Sequence, residues 1–225
     1  AITGSSGFVG TNLRKLFKEK GFNVIGIKRD DISNSKKLLS IIEASDIVVN
    51  LAGANIINRW TESYKETLYN SRIDTTKALV NAMKLSENKP ELFISTSAIG
   101  IYKNSTCYDE EDYDYEDDFL AKLCKDWESE ALKAKEFDVR TAIFRFGIVL
   151  GKGGALSKML TPFKLGIGGT IGNGSQNLSF IHIEDLLNAY SFVYENKNLD
   201  GNFNLTAPEA TSNYGLTKAL GKSLN

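Results

Sequence analysis

The chain has 225 residues, of which 42% are hydrophobic and 24% charged, and its 27 Lys+Arg against 28 Asp+Glu give a formal charge of −1. This is the balance of a globular chain long enough to bury a sizeable core, and it excludes a disordered one. No apolar run approaches the ~20 residues a bilayer span needs, and a slightly acidic isoelectric point argues against a dedicated nucleic-acid binder.

In chain order, apolar runs alternate with helical patterns. Ala1–Thr3 reads as the end of a buried strand, and a helix follows with Val9, Leu13, Leu16 and Phe17 on one face. Asn23–Ile27 is a second strand, Lys36–Ala44 a short helix and Asp46–Leu51 a third strand. A long helix starts near Glu62 with Thr61 as N-cap, its buried stripe being Tyr69, Ile73, Thr76, Val80 and Met83. Glu91–Ser95 is a fourth strand, a helix starts near Asp118, and Val139–Phe144 is a fifth strand. Beyond a glycine-rich stretch from Gly151 to Gly174, broken by a short helix at Ala155–Phe163, come a strand at Asn177–Ile183, a helix through Leu186–Val193 and a strand at Asn202–Leu205. The alternation implies parallel pairing through helical crossovers. The expected fold is α/β, a Rossmann-type doubly wound parallel sheet, with residues 1–150 as dinucleotide-binding core and 151–225 as a small cap interleaved with the last sheet elements. Ala1 is no initiator Met and its strand is short, so the natural chain is expected to extend at both ends.

The charge is uneven. Eight of the ten residues from Asp109 to Asp118 are acidic, which leaves the rest of the chain about seven charges positive. Cys107 and Cys124 have neither metal-ligand nor redox spacing, and His182 is the only histidine, so no metal is expected and a reducing, cytoplasmic setting is.

Thr3-Gly4-Ser5-Ser6-Gly7-Phe8-Val9-Gly10 places glycines at i, i+3 and i+6 between strand and helix. The first permits a tight turn, the second lets backbone approach a pyrophosphate on the helix N-terminus, and the third allows close helix–strand packing. One strand later stands Lys28-Arg29, with Asp30 and Asp31 trailing. A guanidinium forks onto a 2′-phosphate, so NADP is favoured over NAD; the competing reading is a solvated basic turn in which Arg29 pairs with Asp30.

With Asn50-Leu51-Ala52-Gly53 after the third strand and Ser95-Thr96-Ser97-Ala98 after the fourth, the chain resembles the extended short-chain dehydrogenase/reductase superfamily. More narrowly it resembles the atypical "epimerase family protein" subgroup, also labelled cell-division-inhibitor-like. The segments that carry this are Arg59-Trp60-Thr61, Ser71-Arg72, Asp118–Ala121 with Trp127-Glu128, Gly153–Leu156, Gly172–Gln176 with Phe180–Ile183, and Asn204–Pro208. The resemblance implies that Leu51, Ala52 and Gly53 line the cofactor and that Ser97 holds the catalytic serine position. It also implies a Tyr and Lys at i and i+4 on the next helix, where an ammonium would stabilise a tyrosinate. This chain has Leu120 and Cys124 there instead. Tyr214 and Lys218 match the pattern but lie on a late helix that carries no chemistry in the superfamily.

The candidate catalytic residues are therefore Ser97, with a local capping role as its alternative, and Tyr102, whose alternative is packing. The cofactor set is Gly4, Ser5, Ser6, Gly7, Phe8, Val9, Gly10, Arg29, Leu51, Ala52 and Gly53. Arg59, Gln176 and His182 are candidate substrate contacts, His182 being alternatively a half-buried, hydrogen-bonded histidine. The expected function is NADP-dependent oxidoreduction or nucleotide-sugar-epimerase-like hydride transfer on a small molecule, with no nucleic-acid or membrane partner and a homodimer as its possible assembly. The alternative is a nucleotide-sensing regulatory protein without turnover.

Overall fold

A computed structural model describes residues 1–104 and 106–224. Six parallel strands form the central sheet: β1 (Ile2–Thr3), β2 (Gly26–Ile27), β3 (Ile47–Asn50), β4 (Leu92–Ala98), β5 (Arg140–Phe146) and β9 (Gly201–Leu205), in the order β2-β1-β3-β4-β5-β9. The order reverses beside β1, so the crevice between β1 and β3 at the strands' C-terminal ends is the place where such sheets bind ligands. Among the described residues no helix is long and apolar enough to cross a membrane.

Period-2 alternation along the strands fills two cores. Ile47, Val49, Leu92, Ile94, Ala142 and Phe144 face α1 (Phe8–Glu19) and α7 (Ile183–Glu195), whereas Val48, Phe93 and Ile143 face α3 (Ser35–Glu43) and α4 (Glu62–Leu85). A third cluster, Leu68, Ile73, Leu123 and Trp127, joins α4 to α5 (Phe119–Leu132). Side chains start the helices where orphan N–H groups need acceptors: Asn34 caps α3, Thr61 caps α4 and Asp118 caps α5. Tyr69 of the expected stripe is half-buried; the other four members are buried.

Two expected strands differ from expectation. The Asn23–Ile27 run pairs only over Gly26–Ile27, and a four-residue helix, α2 (Arg29–Ile32), follows at once. Asn177–Ile183 is not one strand: β7 (Asn177–Leu178) pairs antiparallel with β10 (Thr211–Ser212), while β8 (Phe180–His182) pairs with β6 (Ile148–Leu150). The break falls where Ser179 crosses Gly147, at which any Cβ would come within 2.9 Å of the Ser179 carbonyl oxygen. α6 (Gly154–Lys164) and α8 (Asn213–Leu224) complete the chain.

A buried polar web pins β1, β3, α4 and α5 together. Thr3 Oγ1 donates to Asn50 Oδ1 (2.7 Å), Asn50 Nδ2 and Trp127 Nε1 each donate to Thr76 Oγ1 (2.9 Å), and Thr76 donates to the Arg72 carbonyl (2.8 Å). Thr76→Val keeps the shape and strands two buried donors. It is expected to cost about 2–4 kcal/mol in denaturant unfolding, and a loss under ~0.5 kcal/mol would show that the web contributes nothing.

Candidate active site

At the end of β1 the chain turns so tightly that side chains have no room. Gly4 has φ +60° and a Cβ there would lie 2.6 Å from the Leu51 carbonyl oxygen, while a Cβ on Gly10 would overlap the Gly4 carbonyl. Gly7, extended at φ −72°, is the N-cap of α1, and no side chain caps that helix. The first-turn N–H groups thus face an open cradle beside exposed Ser6 and Gly7, which fits a pyrophosphate. Phe8 closes the inner side: its ring lies where Cβ atoms on Gly151, Gly153 or Gly154 would fall, at 2.9, 3.0 and 2.6 Å. That is the use of the first glycines of the glycine-rich stretch.

The Leu51–Ala54 loop beside the cradle is tethered at four points. Thr3 Oγ1 accepts from Leu51 N (3.0 Å) and Ala52 N (3.1 Å), Ser71 Oγ accepts from Ala54 N (2.9 Å), and Arg72 Nη2 donates to the Ala54 carbonyl (3.1 Å). Gly53 is the residue under which the Arg72 guanidinium slides, with room for a Cβ only 2.8 Å from Cζ. At the end of β2, Asp31 accepts from Lys28 N (2.8 Å) and pairs with Lys37 (2.5 Å). Arg29 is exposed and forms no ion pair among the described residues, so the expected alternative of an Arg29–Asp30 pair is not found.

At the end of β4 lies a second buried network. Ser97, 1% exposed, donates to Glu128 Oε1 (2.6 Å). Arg145, 0% exposed, donates to both Glu128 oxygens (2.8 and 2.7 Å), to Tyr115 Oη (2.9 Å) and to Tyr102 Oη (2.5 Å). Tyr102 Oη in turn donates to Asn204 Oδ1 (2.9 Å). Burial alone would lower the Arg145 pKa; the bonds and charge of Glu128 outweigh it and hold the guanidinium above its ordinary value. Burial raises the Tyr102 phenol, with Arg145 pulling against it, and pushes Tyr115 up to about 12.

Tyr102 and Asn204 also line a cavity of about 320 Å³, with Asn177, Ser179 and Thr206 across it. Among the described residues that line it, the charged one is Lys103, which pairs with Asp114 (3.1 Å). The acidic loop folds back along the Tyr102 segment, Glu116 N donating to the Ile101 carbonyl (3.0 Å) and Glu110 accepting from Asn204 N (2.5 Å).

The structure brings Ser97 and Tyr102 into one network and assembles the glycine turn with Leu51–Gly53. Arg59, Gln176 and His182 do not line the cavity. Arg59 is exposed beside Trp60, and Gln176 Nε2 donates to the Ile171 carbonyl (3.1 Å). His182 is the N-cap of α7, Nδ1 accepting from Glu184 N (3.4 Å), with its side chain 52% exposed. Tyr214 is exposed, with Lys218 Nζ over its ring at 5.6 Å. Sequence reasoning missed Arg145, although a charge inside Ala142-Ile143-Phe144-Arg145-Phe146 is a signal. It quoted Glu128 and Asn204 within matched segments but gave them no role.

A doubly wound sheet with an anion cradle at its switch point defines a Rossmann-type, dinucleotide-binding class of protein. Within that class, residues 1–206 match the NAD dependent epimerase/dehydratase family, and the chain belongs to it. The epimerase family protein of Staphylococcus epidermidis is 37% identical over 97% of this chain and 78% of its own length. Human epimerase family protein SDR39U1, solved with NADPH, is 30% identical with a TM-score of 0.81, over 98% of this chain and 79% of that one. A nucleoside-diphosphate sugar epimerase from Corynebacterium glutamicum is 32% identical with a TM-score of 0.83, over 99% of this chain and 49% of that one.

Cys124, 4% exposed, has its thiol pushed up to about 11 by burial, whereas Cys107 is exposed. At pH 8 a disulfide reagent is expected to titrate one thiol per native chain and two in denaturant. A second fast thiol in the native protein would mean that α5 opens.

Proposed function

We propose that this chain binds NADP(H) on the glycine cradle and performs hydride-transfer chemistry on a small molecule, as an oxidoreductase or nucleotide-sugar-epimerase-like enzyme without a Tyr-x-x-x-Lys pair. The observation that carries the cofactor choice is Arg29, exposed and unpaired, while the nearby Asp31 carboxylate is turned away to Lys28 N–H and Lys37. The NADPH in the human relative, 30% identical, supports the same choice. The backbone from Gly4 to Gly10, including Ser5, Ser6, Phe8 and Val9, would hold the pyrophosphate, Leu51, Ala52 and Gly53 would flank the dinucleotide, and Arg29 would take the 2′-phosphate.

The bound nicotinamide supplies or takes up the hydride. Tyr102 is the group placed to move a proton, because the residue lines the cavity and its hydroxyl is held by donor and acceptor partners. Ser97 gives its only proton to Glu128 and has 1% exposure, so its part is to position that carboxylate and not to touch substrate. A cytoplasmic setting, with its reduced dinucleotide pool, suits this reading.

One specific feature favours binding without turnover as the second reading: Leu120 and Cys124 fill the positions of the missing pair, and Cys124 is buried.

Fluorescence titration with NADPH and NADH tests the cofactor assignment. Wild type is expected to bind NADPH at least about tenfold more tightly, ~1.4 kcal/mol, and Arg29→Ala to lose most of that margin. Tighter NADH binding, or an unchanged margin in Arg29→Ala, refutes it. A metabolite screen followed both for NADPH oxidation and for substrate isomerisation, which consumes no net cofactor, then separates enzyme from sensor.

A further inference from the structure

A lysine one helical turn from a tyrosine does two things for it. It places a donor by the phenol oxygen, and it offsets the charge left when the proton goes. The helix that should present the pair carries Leu120 and Cys124, but a cation of the same use reaches Tyr102 from a different element. Arg145 projects from β5, and its Nη1 lies 2.5 Å from Tyr102 Oη. Of its five N–H donors, two go to Glu128, one to Tyr115 and one to Tyr102. The guanidinium is therefore immobile, with the rings of Tyr102, Tyr113 and Tyr115 at 5.2, 5.9 and 5.6 Å from Cζ.

We propose that Arg145 stands in for the lysine this chain lacks: it holds the Tyr102 phenol, offsets the charge of its ionised form, and so equips Tyr102 to give and take a proton at the cavity wall. This rests on Tyr102 being the proton-moving group, as read above. In the proton-giving direction the Tyr102 O–H bond breaks and a substrate oxygen, replacing Asn204 Oδ1 as acceptor, gains the proton. The phenolate left behind faces the guanidinium, and the reverse step returns the proton. The hydride is the dinucleotide's contribution. Glu128 tempers the arrangement, since its carboxylate neutralises part of the charge that Arg145 offers the phenol. Arg145 and Glu128 act through Tyr102, so both are positioning residues.

The groups that bear on Tyr102 come from three directions. Arg145 is on the strand, Glu128 on α5, and Glu110, Tyr108, Tyr113 and Tyr115 are on the acidic loop; Asn204 on β9 is neutral. Glu110 raises the Tyr102 pKa and Arg145 lowers it, against a burial effect that is larger than either.

The test is an ultraviolet tyrosinate titration, which needs neither cofactor nor substrate. The difference between each protein and the same protein carrying Tyr102→Phe isolates the Tyr102 midpoint. Replacing the ion pair by apolar side chains, Arg145→Met with Glu128→Leu, is a change that commonly keeps a fold. It is expected to raise the midpoint by about one pH unit or more, a tenfold change in the ionisation constant. Glu128→Gln keeps the cation and removes its counter-charge, so the midpoint is expected to fall by a comparable amount. Thermal melting confirms that each variant is folded, and either folded variant decides the matter alone. A midpoint within ~0.3 units of wild type in a folded variant reduces the pair to a structural role and overturns the proposal. That outcome is separate from a failure of NADPH binding, which would leave the titration intact and strike the cofactor assignment instead.

Discussion

The half of the sheet that ends in β4, β5 and β9 depends on one buried ion pair. Glu128 and Arg145 have side chains 8% and 0% exposed. Taking both charges out of water costs several kcal/mol each, and the pair survives only if the remaining donors and acceptors are also satisfied. Here they are. Ser97 near the end of β4 and the Nε–H and Nη2–H of the guanidinium meet the carboxylate, Tyr115 binds the acidic loop to the pair, and Tyr102 carries the connection to Asn204 on β9. The same cation explains why a stretch with eight acids lies folded over the sheet. Its inner surface is tyrosine over guanidinium, and six of its eight acidic residues stand exposed, while Glu110 reaches in to Asn204 N–H.

The other half rests on the web of Thr3, Asn50 and Thr76, which fixes the Leu51–Ala52 backbone against the glycine turn. Both halves meet on α5, in two consecutive residues. Trp127 ends in the Thr76 web and Glu128 in the Arg145 network, about 100° apart around the helix. The helix that would present a Tyr/Lys pair in the superfamily pattern has its first turns given over to packing, with Leu120 and Cys124 at the pair's positions. Its second half instead carries the two polar side chains that hold the cofactor side and the cavity side in register.

The central strands and the long helix were legible because β3, β4 and β5 are largely apolar runs and α4 has its capping residue, Thr61, in the expected place. What failed to show were features set by contacts distant in sequence. The split of Asn177–Ile183 depends on where Ser179 crosses Gly147, thirty-two residues earlier in the chain. His182 sits in an apolar run that suggests partial burial, yet α7 begins at the next residue and makes its imidazole a cap. Arg145 falls one residue past the expected Val139–Phe144 strand, on a face that the local sequence does not mark as covered. Only the return of α5 and the acidic loop over that face buries it, and the carboxylate that compensates it lies 17 residues away. The tightness of the glycine turn was legible because part of its requirement is local, a Cβ on Gly10 meeting the Gly4 carbonyl, whereas the clash that excludes a Cβ at Gly4 comes from distant Leu51.

Charge also bears on what the cavity can admit. Five of the acidic loop's eight carboxylates are engaged by the protein itself: Asp109 with Glu111 and Asp112 N–H, Glu110 with Asn204 N–H, Asp114 with Lys103, Glu116 with Asp117 N–H, and Asp118 with Ala121 N–H. The rest face solvent, where salt screens them beyond ~8 Å. The cavity wall presents amide and hydroxyl groups from Tyr102, Asn177, Ser179, Asn204 and Thr206, and no carboxylate. Such a wall recognises a neutral, hydrogen-bonding ligand portion, and the loop at its rim disfavours an anionic one. An anionic segment of a bound molecule is better accommodated at the glycine cradle, where helix N–H groups and Arg29 supply the opposite charge. On the proposed reading, the uneven charge of the chain divides the ligand surface into two, an anion-binding part at β1 and β2 and a part beyond β4 whose one charged described residue, Lys103, is paired with Asp114.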